Sequence, residues 1–255
     1  MTATEWRVLP LEARAAAMNM ALDEAIQERV AAGDSPPTIR LYRWEPSAVS
    51  IGYFQALEDE VDVAACEEDG VDVVRRRTGG GAVYHDRDGE VTYSVIGPLE
   101  RFPEDLTASY EQICGRVVDA LARLDIEASF APINDVEVDG RKISGSAQTR
   151  RAGALWQHGT VLHRVDAERM FRYLEPDVEK VTDKHLAAAE ERVTSVVELL
   201  GEDDGMPAIE ETAEALREAF TDGRDAAEGT PSDEERERAE EIAERYRSDD
   251  WTRQR

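Results

Sequence analysis

The most informative stretch of this 255-residue chain is Arg75-Arg76-Arg77-Thr78-Gly79-Gly80-Gly81-Ala82-Val83-Tyr84-His85-Asp86. Three consecutive glycines pack poorly, because glycine loses more backbone freedom on folding than any other residue. They are useful where bare backbone must approach a ligand closely. Backbone N–H groups in such a turn form a concave anion site, and arginine matches phosphate and carboxylate oxygens. The stretch therefore predicts an anion-binding loop, with a glycine-rich hairpin beside solvated arginines as the structural alternative.

A second dense segment is Asn134-Asp135-Val136-Glu137-Val138-Asp139-Gly140-Arg141-Lys142-Ile143-Ser144-Gly145-Ser146-Ala147-Gln148. Its pattern predicts a loop of glycine and serine that holds one of only three lysines in the chain. Arginine replaces lysine in surface pairs, but not where a compact ammonium must approach a reacting centre. We therefore expect Lys142 to act at a site, with an ordinary exposed hairpin lysine as the structural alternative. For Asp135 two roles stay open, a carboxylate that helps hold a divalent cation on a triphosphate, or a plain turn residue.

The charge balance is strongly acidic, with 56 Asp and Glu against 30 Lys and Arg and a formal net charge of −26. The acidity extends along the whole chain, which indicates a surface adapted to a high-salt cytoplasm, where ions screen its self-repulsion. It also argues against nucleic-acid binding. No apolar run reaches the roughly 18 residues of a membrane span, and the N-terminus lacks a signal-peptide layout. We expect a cytoplasmic protein with no membrane partner.

Hydrophobic spacing predicts both helices and strands. Apolar residues recur at helical spacing over residues 18–30 and again over 110–124, and Gly33 is a typical helix stop. Strands are predicted over 38–44 and 47–51, and the turn at 86–89 is expected to close a hairpin. Mixed strands with segregated helices predict an α+β sheet core. The composition shifts near Gly201, so we expect a catalytic domain over 1–200 and a short acidic helical appendage over 201–255.

Cys66 and Cys114 lie in helix-like segments without the spacing of metal ligands. Cysteine in such positions behaves as a small buried apolar residue. Neither cysteine is therefore expected to form a disulfide or to act as a nucleophile.

The chain resembles the lipoate–protein ligase A family, within the wider group of biotin and lipoate ligases and octanoyltransferases. The motifs that carry the resemblance cover residues 40–55, 75–86 and 134–148, Gln157-His158-Gly159-Thr160, and Arg192-Val193-Thr194-Ser195-Val196. They occur in the family's order over roughly residues 5–200. The two glycine-rich motifs together make the resemblance highly specific.

The resemblance implies a mixed sheet flanked by helices, similar to the catalytic core of class II aminoacyl-tRNA synthetases and biotin ligases. It implies ATP-dependent activation of lipoate to lipoyl-AMP, with ATP and Mg²⁺ as co-substrate and ion and no permanently bound cofactor. The lipoyl group then passes to a lysine of a lipoyl carrier domain. Expected carriers are the acyltransferase subunit of a 2-oxoacid dehydrogenase and the glycine cleavage H protein. A separate accessory domain protein is a further expected partner.

The resemblance also assigns site residues, with Lys142 as the catalytic residue that touches both the acyl carbonyl and the α-phosphate. The residues expected to bind ATP or lipoyl-AMP are Arg75, Arg76, Gly79, Gly80, Gly81, Ala82, Val83, Tyr84, Asn134, Asp135, Lys142, Ser144 and Gly145. Structural or substrate support is expected from His85, Asp86, Ala147, His158, Gly159 and Thr160. Asp135 is the candidate Mg²⁺ ligand.

Two other functions remain as alternatives to ATP-dependent lipoate ligation. Octanoyltransferases share the Gly-Arg-Lys-x-x-Gly-Ser-Ala-Gln segment, and Gln148 and the segment 241–251 favour that branch. Such enzymes carry a cysteine nucleophile shortly before this segment, whereas residues 128–134 read Ala-Ser-Phe-Ala-Pro-Ile-Asn. A non-catalytic lipoate-binding accessory protein is the second alternative, and the intact Lys142, Arg76 and triple glycine argue against it. Biotin ligation fits worse, because the glycine- and arginine-rich loop of that branch is missing.

Overall fold

The structure is a computed structural model that describes residues 5–174, 191–201 and 206–255. Its strands are β1 (Trp6–Arg14), β2 (Thr38–Trp44), β3 (Ala48–Ile51), β4 (Asp72–Arg75), β5 (Val83–His85), β6 (Glu90–Pro98), β7 (Ser129–Ala131), β8 (Asp135–Val138), β9 (Arg141–Arg151), β10 (Ala154–Leu162) and β11 (Ala226–Glu228). In the described residues the large sheet has eight strands, in the order β11-β1-β2-β6-β10-β9-β8-β7. A small sheet has the order β4-β3-β5. The β1–β11, β1–β2 and β3–β4 pairs are parallel and all other pairs are antiparallel.

The helices are α1 (Ala16–Ala32), α2 (Leu57–Glu60), α3 (Val63–Asp69), α4 (Leu106–Arg123), α5 (Ala167–Leu174), α6 (Val196–Leu200), α7 (Ile209–Thr221), α8 (Asp233–Tyr246) and α9 (Asp249–Thr252), with a 3-10 turn at Leu99–Arg101. Local signals set several of their ends. Gly33 ends α1 with a left-handed φ of 79°. Asp105 caps α4 by accepting from Ala108 N, and Ser232 forms a capping box with Glu235 at α8.

Both faces of the large sheet are buried. Alternate residues of a strand point to opposite sides, so each face contributes to its own core. On β2, Ile39 and Leu41 join one core with α4 and α7, whereas Tyr42 and Trp44 join another with α1 and α8. The small sheet has a separate core that includes residues of α2, α3 and α5. The predicted α+β class and mixed sheet flanked by helices are confirmed. Across the described residues, no helix has the length and apolarity needed to cross a bilayer.

Two local predictions are wrong. The turn at 86–89 does not close a hairpin, because β5 pairs with β3 and β6 pairs with β2 and β10. This turn instead carries the chain from the small sheet to the large one. Lys142 does not lie in a glycine–serine loop but on β9, which continues to Arg151. The strand pairs on both sides with β8 and β10, and this pairing accommodates its small residues.

The segment after residue 205 packs on the rest of the molecule. Strand β11 adds a parallel edge to β1, and buried Ala239, Ile242 and Tyr246 of α8 pack in the same core as α1. Arg7 on β1 also forms an ion pair with buried Glu235, at 2.7 Å. The division of the chain near residue 200 stays a prediction, and these contacts tie residues 226–246 to the main sheet.

Candidate active site

A cleft of about 340 Å³ is lined by residues from both sheets. Its first side, called here the glycine wall, consists of Ser50, Arg76 and residues 80–85. Its second side, the lysine wall, consists of Asn134, Lys142, residues 145–147 and residues 158–160. Apolar side chains from the β10 end, α5 and the late Arg-Val-Thr segment complete the lining, namely Leu162, Met170, Leu174 and Val193. The two glycine-rich motifs, far apart in sequence, therefore meet at one cleft.

The glycine wall depends on close backbone contact. A Cβ placed on Gly52, just after β3, would lie 2.0 Å from the carbonyl oxygen of Gly80. Gly80 itself has a φ of +96°, which side chains rarely adopt. The side chain of Arg76 stabilises the loop, because its Nη2 donates to the carbonyl oxygens of Gly79 at 2.8 Å and Gly81 at 2.7 Å. The loop is thus held by its own backbone and one guanidinium.

Arg76 is a buried cation that pairs with no carboxylate among the residues that the structure describes. Its Nη1 donates to the Ser50 carbonyl oxygen at 3.0 Å and to Ser50 Oγ at 3.1 Å. Burial lowers the pKa of Arg76 to about 10. The guanidinium still carries its charge near neutral pH, in a setting where water screens it little.

The neighbouring arginines point elsewhere. Arg75 is fully buried away from the cleft lining, and its guanidinium donates to the carbonyl oxygens of Gly52, Tyr53, Gln55, Trp251 and Thr252. Arg77 pairs with buried Glu24. Successive residues of an extended chain point to opposite sides, so Arg76 reaches the cleft when its neighbours do not. The predicted anion contact by Arg75 is not supported by this placement.

Lys142 is held on the lysine wall by backbone and side-chain contacts. Its N–H donates to the Arg192 carbonyl and its carbonyl accepts from Thr194 N–H, each at 2.9 Å, so the late Arg-Val-Thr segment pairs with this strand. Its Nζ lies 2.8 Å from Asp135 Oδ1, and 40% of the lysine side chain is exposed. A Cβ on Gly145 would lie 2.5 Å from this Nζ, so the ammonium occupies the space that a side chain there would need.

Two residues of the lysine wall, His158 and Ser146, form polar contacts with side chains outside the wall. His158 Nε2 is 2.8 Å from Thr78 Oγ1, and burial, with nearby Arg76, lowers the pKa of His158 well below its usual value. His158 is therefore neutral near pH 7. Ser146 Oγ is 2.7 Å from the Tyr93 hydroxyl and 3.5 Å from Cys114 Sγ. Cys114 is fully buried as a free thiol, and burial raises its pKa.

Most of the predicted site residues line the cleft. They are Arg76, Gly80, Gly81, Ala82, Val83, Tyr84, His85, Asn134, Lys142, Gly145, Ala147, His158, Gly159 and Thr160. The predicted residues that do not line it are Arg75, Gly79, Asp86, Asp135 and Ser144. Lining residues that the sequence analysis did not single out are Trp44, Ser50, Thr92, Ser146, Leu162, Met170, Leu174 and Val193. Trp44 and Ser50 lie inside the motif over 40–55, which was the available signal.

The Asp135 carboxylate faces the Lys142 ammonium rather than other ligand-type side chains. Among the described residues, no three His, Cys, Asp or Glu side chains group together as metal ligands. The residues present do not by themselves fit a resident ion, so no step is assigned to one. ATP and Mg²⁺ stay predictions from the resemblance.

Comparison with known proteins places the chain among lipoylation enzymes. The sequence-family model of the lipoyl protein ligase A/B catalytic domain matches residues 15–221 of this chain. Octanoyltransferase LipM from Kyrpidia tusciae is 38% identical over 272 residues, which cover 96% of this chain and 97% of that protein. A bipartite lipoate protein ligase from Thermoplasma acidophilum has a TM-score of 0.86 at 33% identity, covering 98% of this chain and 96% of its own. Lipoate-protein ligase A bound with ATP has a TM-score of 0.82 at 30% identity, with 98% of each chain covered.

These findings confirm the predicted family and correct the predicted reaction. ATP-dependent lipoate ligation is wrong as the principal function, because the curated relative with 38% identity is an octanoyltransferase. Further curated relatives at 31–35% identity have the same name. The segment around Lys142 does not separate the two reactions, because octanoyltransferases share its Gly-Arg-Lys-x-x-Gly-Ser-Ala-Gln pattern. The lack of a cysteine over 128–134 then counted against the transferase.

Proposed function

Because the chain belongs to the lipoyl protein ligase A/B catalytic domain family, we propose that it is an octanoyltransferase. It moves an octanoyl group from octanoyl-[acyl-carrier protein] to a lysine amine of a lipoyl carrier domain. The observation that carries this proposal is the 38% identity to octanoyltransferase LipM over 97% of that protein's length. Octanoyl transfer requires neither ATP nor a resident metal.

The cleft suits an acyl chain with a reactive end. An octanoyl group is an uncharged chain, and each methylene that it buries contributes about 0.8 kcal/mol to binding. Leu162, Met170, Leu174 and Val193 supply an apolar part of the lining, whereas Arg76 and Lys142 supply positive charge. The volume of about 340 Å³ lies within the range of small-molecule pockets.

The reaction exchanges a thioester for an amide. The carbon–sulfur bond of the donor breaks, a carbon–nitrogen bond to the acceptor lysine forms, and the amine proton leaves with the thiol. Negative charge develops on the carbonyl oxygen during each attack, and fixed donors around that oxygen lower the barrier. In this proposal Lys142 Nζ is the donor from the lysine wall, because its ammonium is partly exposed at the cleft and has a single carboxylate partner.

The acceptor in this proposal is the lipoyl domain of a 2-oxoacid dehydrogenase acyltransferase subunit, with the glycine cleavage H protein as a second acceptor. The related archaeal ligase was described together with its E2 lipoyl domain, which supports this class of acceptor. That ligase is bipartite, so a separate accessory protein remains part of the proposal.

Mass spectrometry of an apo lipoyl domain tests the reaction. Incubation with the protein and octanoyl-[acyl-carrier protein], without ATP, is expected to add one octanoyl group to the domain. A domain whose acceptor lysine is replaced by arginine is the matched control and is expected to stay unmodified. A parallel incubation contains lipoate, ATP and Mg²⁺ instead of the acyl donor. Modification in that arm alone would contradict the proposal.

A further inference from the structure

A serine, a histidine and a glutamate form a hydrogen-bonded series at the glycine wall. Ser50 Oγ lies 2.7 Å from His85 Nε2, and His85 Nδ1 lies 2.7 Å from Glu90 Oε1. All three residues are at least 96% buried, yet Ser50 and His85 line the cleft. A nucleophile, a base and a carboxylate that orients the base are the three parts of an activated serine.

The backbone brings these residues together from three strands. Ala48 on β3 pairs with His85 on β5, so Ser50, two residues further along β3, is a diagonal neighbour on the same face. His85 ends β5 and Glu90 begins β6, on either side of the turn that joins the two sheets. The arrangement therefore depends on the change of sheet at residues 86–89.

The donors at both ends fix the direction of the hydrogen bonds. Arg76 can only donate, so Ser50 Oγ accepts from its Nη1 at 3.1 Å and keeps its own hydrogen for His85. At the other end Trp44 Nε1 donates to Thr92 Oγ1, and Thr92 donates to Glu90 Oε1, each at 2.8 Å. With Glu90 Oε1 as the acceptor at 2.7 Å, the hydrogen of His85 lies on Nδ1. Nε2 is left to accept the serine hydrogen, as a general base requires.

The histidine ring is also held in place. Trp44 stacks on it, with ring centroids 4.0 Å apart and an angle of 16° between the planes. Trp44 is itself buried and tied to Thr92, so the ring lies between a fixed indole and the serine. Such fixed orientation lets a base take its proton without reorganisation.

We propose that Ser50 is the nucleophile of the transferase and carries the octanoyl group as an ester, with His85 as its general base and Glu90 as the positioning residue of His85. The assignment rests on the proposed octanoyl transfer. Ser50 Oγ attacks the thioester carbon while its proton passes to His85 Nε2. The carbon–sulfur bond breaks and His85 protonates the leaving thiolate. The acceptor amine then attacks the ester, its proton passes to His85, and the serine hydroxyl is restored as the carbon–oxygen bond breaks.

Other nucleophiles near the cleft lack these partners. Cys114 does not line the cleft and is fully buried against Ser146 and Gln157. Ser146 lines the cleft, but its hydroxyl contacts Tyr93 and Cys114 rather than a histidine. Thr78 contacts His158 but does not line the cleft. Of the cleft-lining hydroxyl groups in the described ranges, Ser50 is the one paired with a histidine that a carboxylate orients.

Covalent labelling tests the nucleophile without any acceptor. The protein is treated with an octanoyl thioester, or with an alkyl fluorophosphonate, from which the serine displaces fluoride. Intact mass and peptide mapping are expected to find one adduct, on Ser50. Labelling is expected to fall about 100-fold or more in Ser50→Ala and in His85→Gln. Ser129→Ala, at an exposed serine of β7 that does not line the cleft, is the matched control and is expected to keep the label on Ser50.

A thiol variant gives an independent chemical signature. The octanoyl adduct of the natural protein is expected to resist neutral hydroxylamine as an oxygen ester, whereas the adduct of Ser50→Cys is expected to be cleaved as a thioester. An adduct on any other residue, or undiminished octanoyl transfer by Ser50→Ala, overturns the assignment.

The two proposals fail in different ways. If the lipoyl domain is octanoylated and neither reagent labels Ser50, the serine assignment is overturned and octanoyl transfer stands. If Ser50 is labelled and no carrier is octanoylated, the proposed function fails and the reactivity of Ser50 is supported.

Discussion

Arg76 and Lys142 belong to the two walls of one cleft, and they hold positive charge in different ways. Arg76 is 4% exposed, and its Nη1 and Nη2 groups donate to Ser50 and to the backbone of the loop. Lys142 is 40% exposed in its side chain and has the Asp135 carboxylate beside it. Arg76 stabilises the glycine wall, of which it is a part. The Lys142 ammonium can turn toward a substrate at little cost in free energy.

The difference predicts which measurement each wall affects. Changes on the glycine wall remove buried contacts, so they lower the free energy of unfolding together with activity. Changes at Lys142 remove a partly exposed side chain, so they lower activity and leave stability nearly unchanged. The following variants test the two expectations at Lys142 and its neighbour Gly145, and at Arg75 and Gly52, which lie beside the glycine wall.

The largest effect is expected for Lys142→Ala. Losing one donor to a developing oxyanion typically costs about 2.7–4 kcal/mol, so octanoyl transfer should fall by about 100-fold or more. The measurement is the initial rate of lipoyl-domain octanoylation, alongside thermal unfolding of the same sample. Asp135→Asn, which keeps the shape of the neighbouring side chain, is the control for loss of the ion pair. A rate within a few-fold of the natural protein would remove Lys142 from the proposed chemistry.

Arg75→Ala is expected to affect stability most. Five carbonyl groups lose their buried donor, and unsatisfied buried groups cost about 1–3 kcal/mol each, so unfolding should become easier by about 3 kcal/mol or more. Denaturant unfolding gives the value. Arg87→Ala is the control, because the half-exposed Arg87–Glu45 pair contributes about 0–1 kcal/mol. Equal midpoints for both variants would contradict the structural role of Arg75.

Gly52→Ala tests the close contact under the glycine loop. Its new methyl group would lie 2.0 Å from the Gly80 carbonyl oxygen, which belongs to the backbone and must shift. We expect a loss of about 1–3 kcal/mol of unfolding free energy. Gly79→Ala has open space around its Cβ and serves as the stability control. Unchanged stability of Gly52→Ala would show that the loop is not held at this point.

The smallest effect is expected for Gly145→Ala. Its methyl group would meet Cε and Nζ of Lys142, and a flexible side chain moves away easily. The ammonium is displaced, so we expect transfer to fall about 10-fold with little change in stability. The double variant with Lys142→Ala provides the control, since two changes that act through one group are not additive. A further 10-fold loss in the double variant would mean that Gly145 acts independently of Lys142.

Local patterns predicted much of the fold. The helical spacing and Gly33 located α1, and the apolar period over 110–124 located most of α4. The pairing of β6 was not predictable from the turn chemistry at 86–89, because strand partners depend on contacts distant in sequence. Strand β11 is only three residues long and carries little pattern of its own.

The sequence predicted most of the residues that line the cleft, but not the side chains with which they form hydrogen bonds. Three adjacent arginines look alike in composition, and only strand alternation separates Arg76 from Arg75. Ser50 gave no signal of its own, since its role arises from the diagonal contact with His85 across β3 and β5. The reaction could not be predicted from the segment around Lys142, because octanoyltransferases share that segment with the ligases.

The hydrogen bonds from Arg75 to the carbonyl oxygens of Trp251 and Thr252 have a consequence for folding during synthesis. The ribosome makes residue 75 long before residue 252, so a nascent chain that already contains every cleft-lining residue still lacks the carbonyls that fix the strand beside the glycine loop. The strand beside the glycine loop is therefore expected to become fixed only after α9 has been synthesised and has docked.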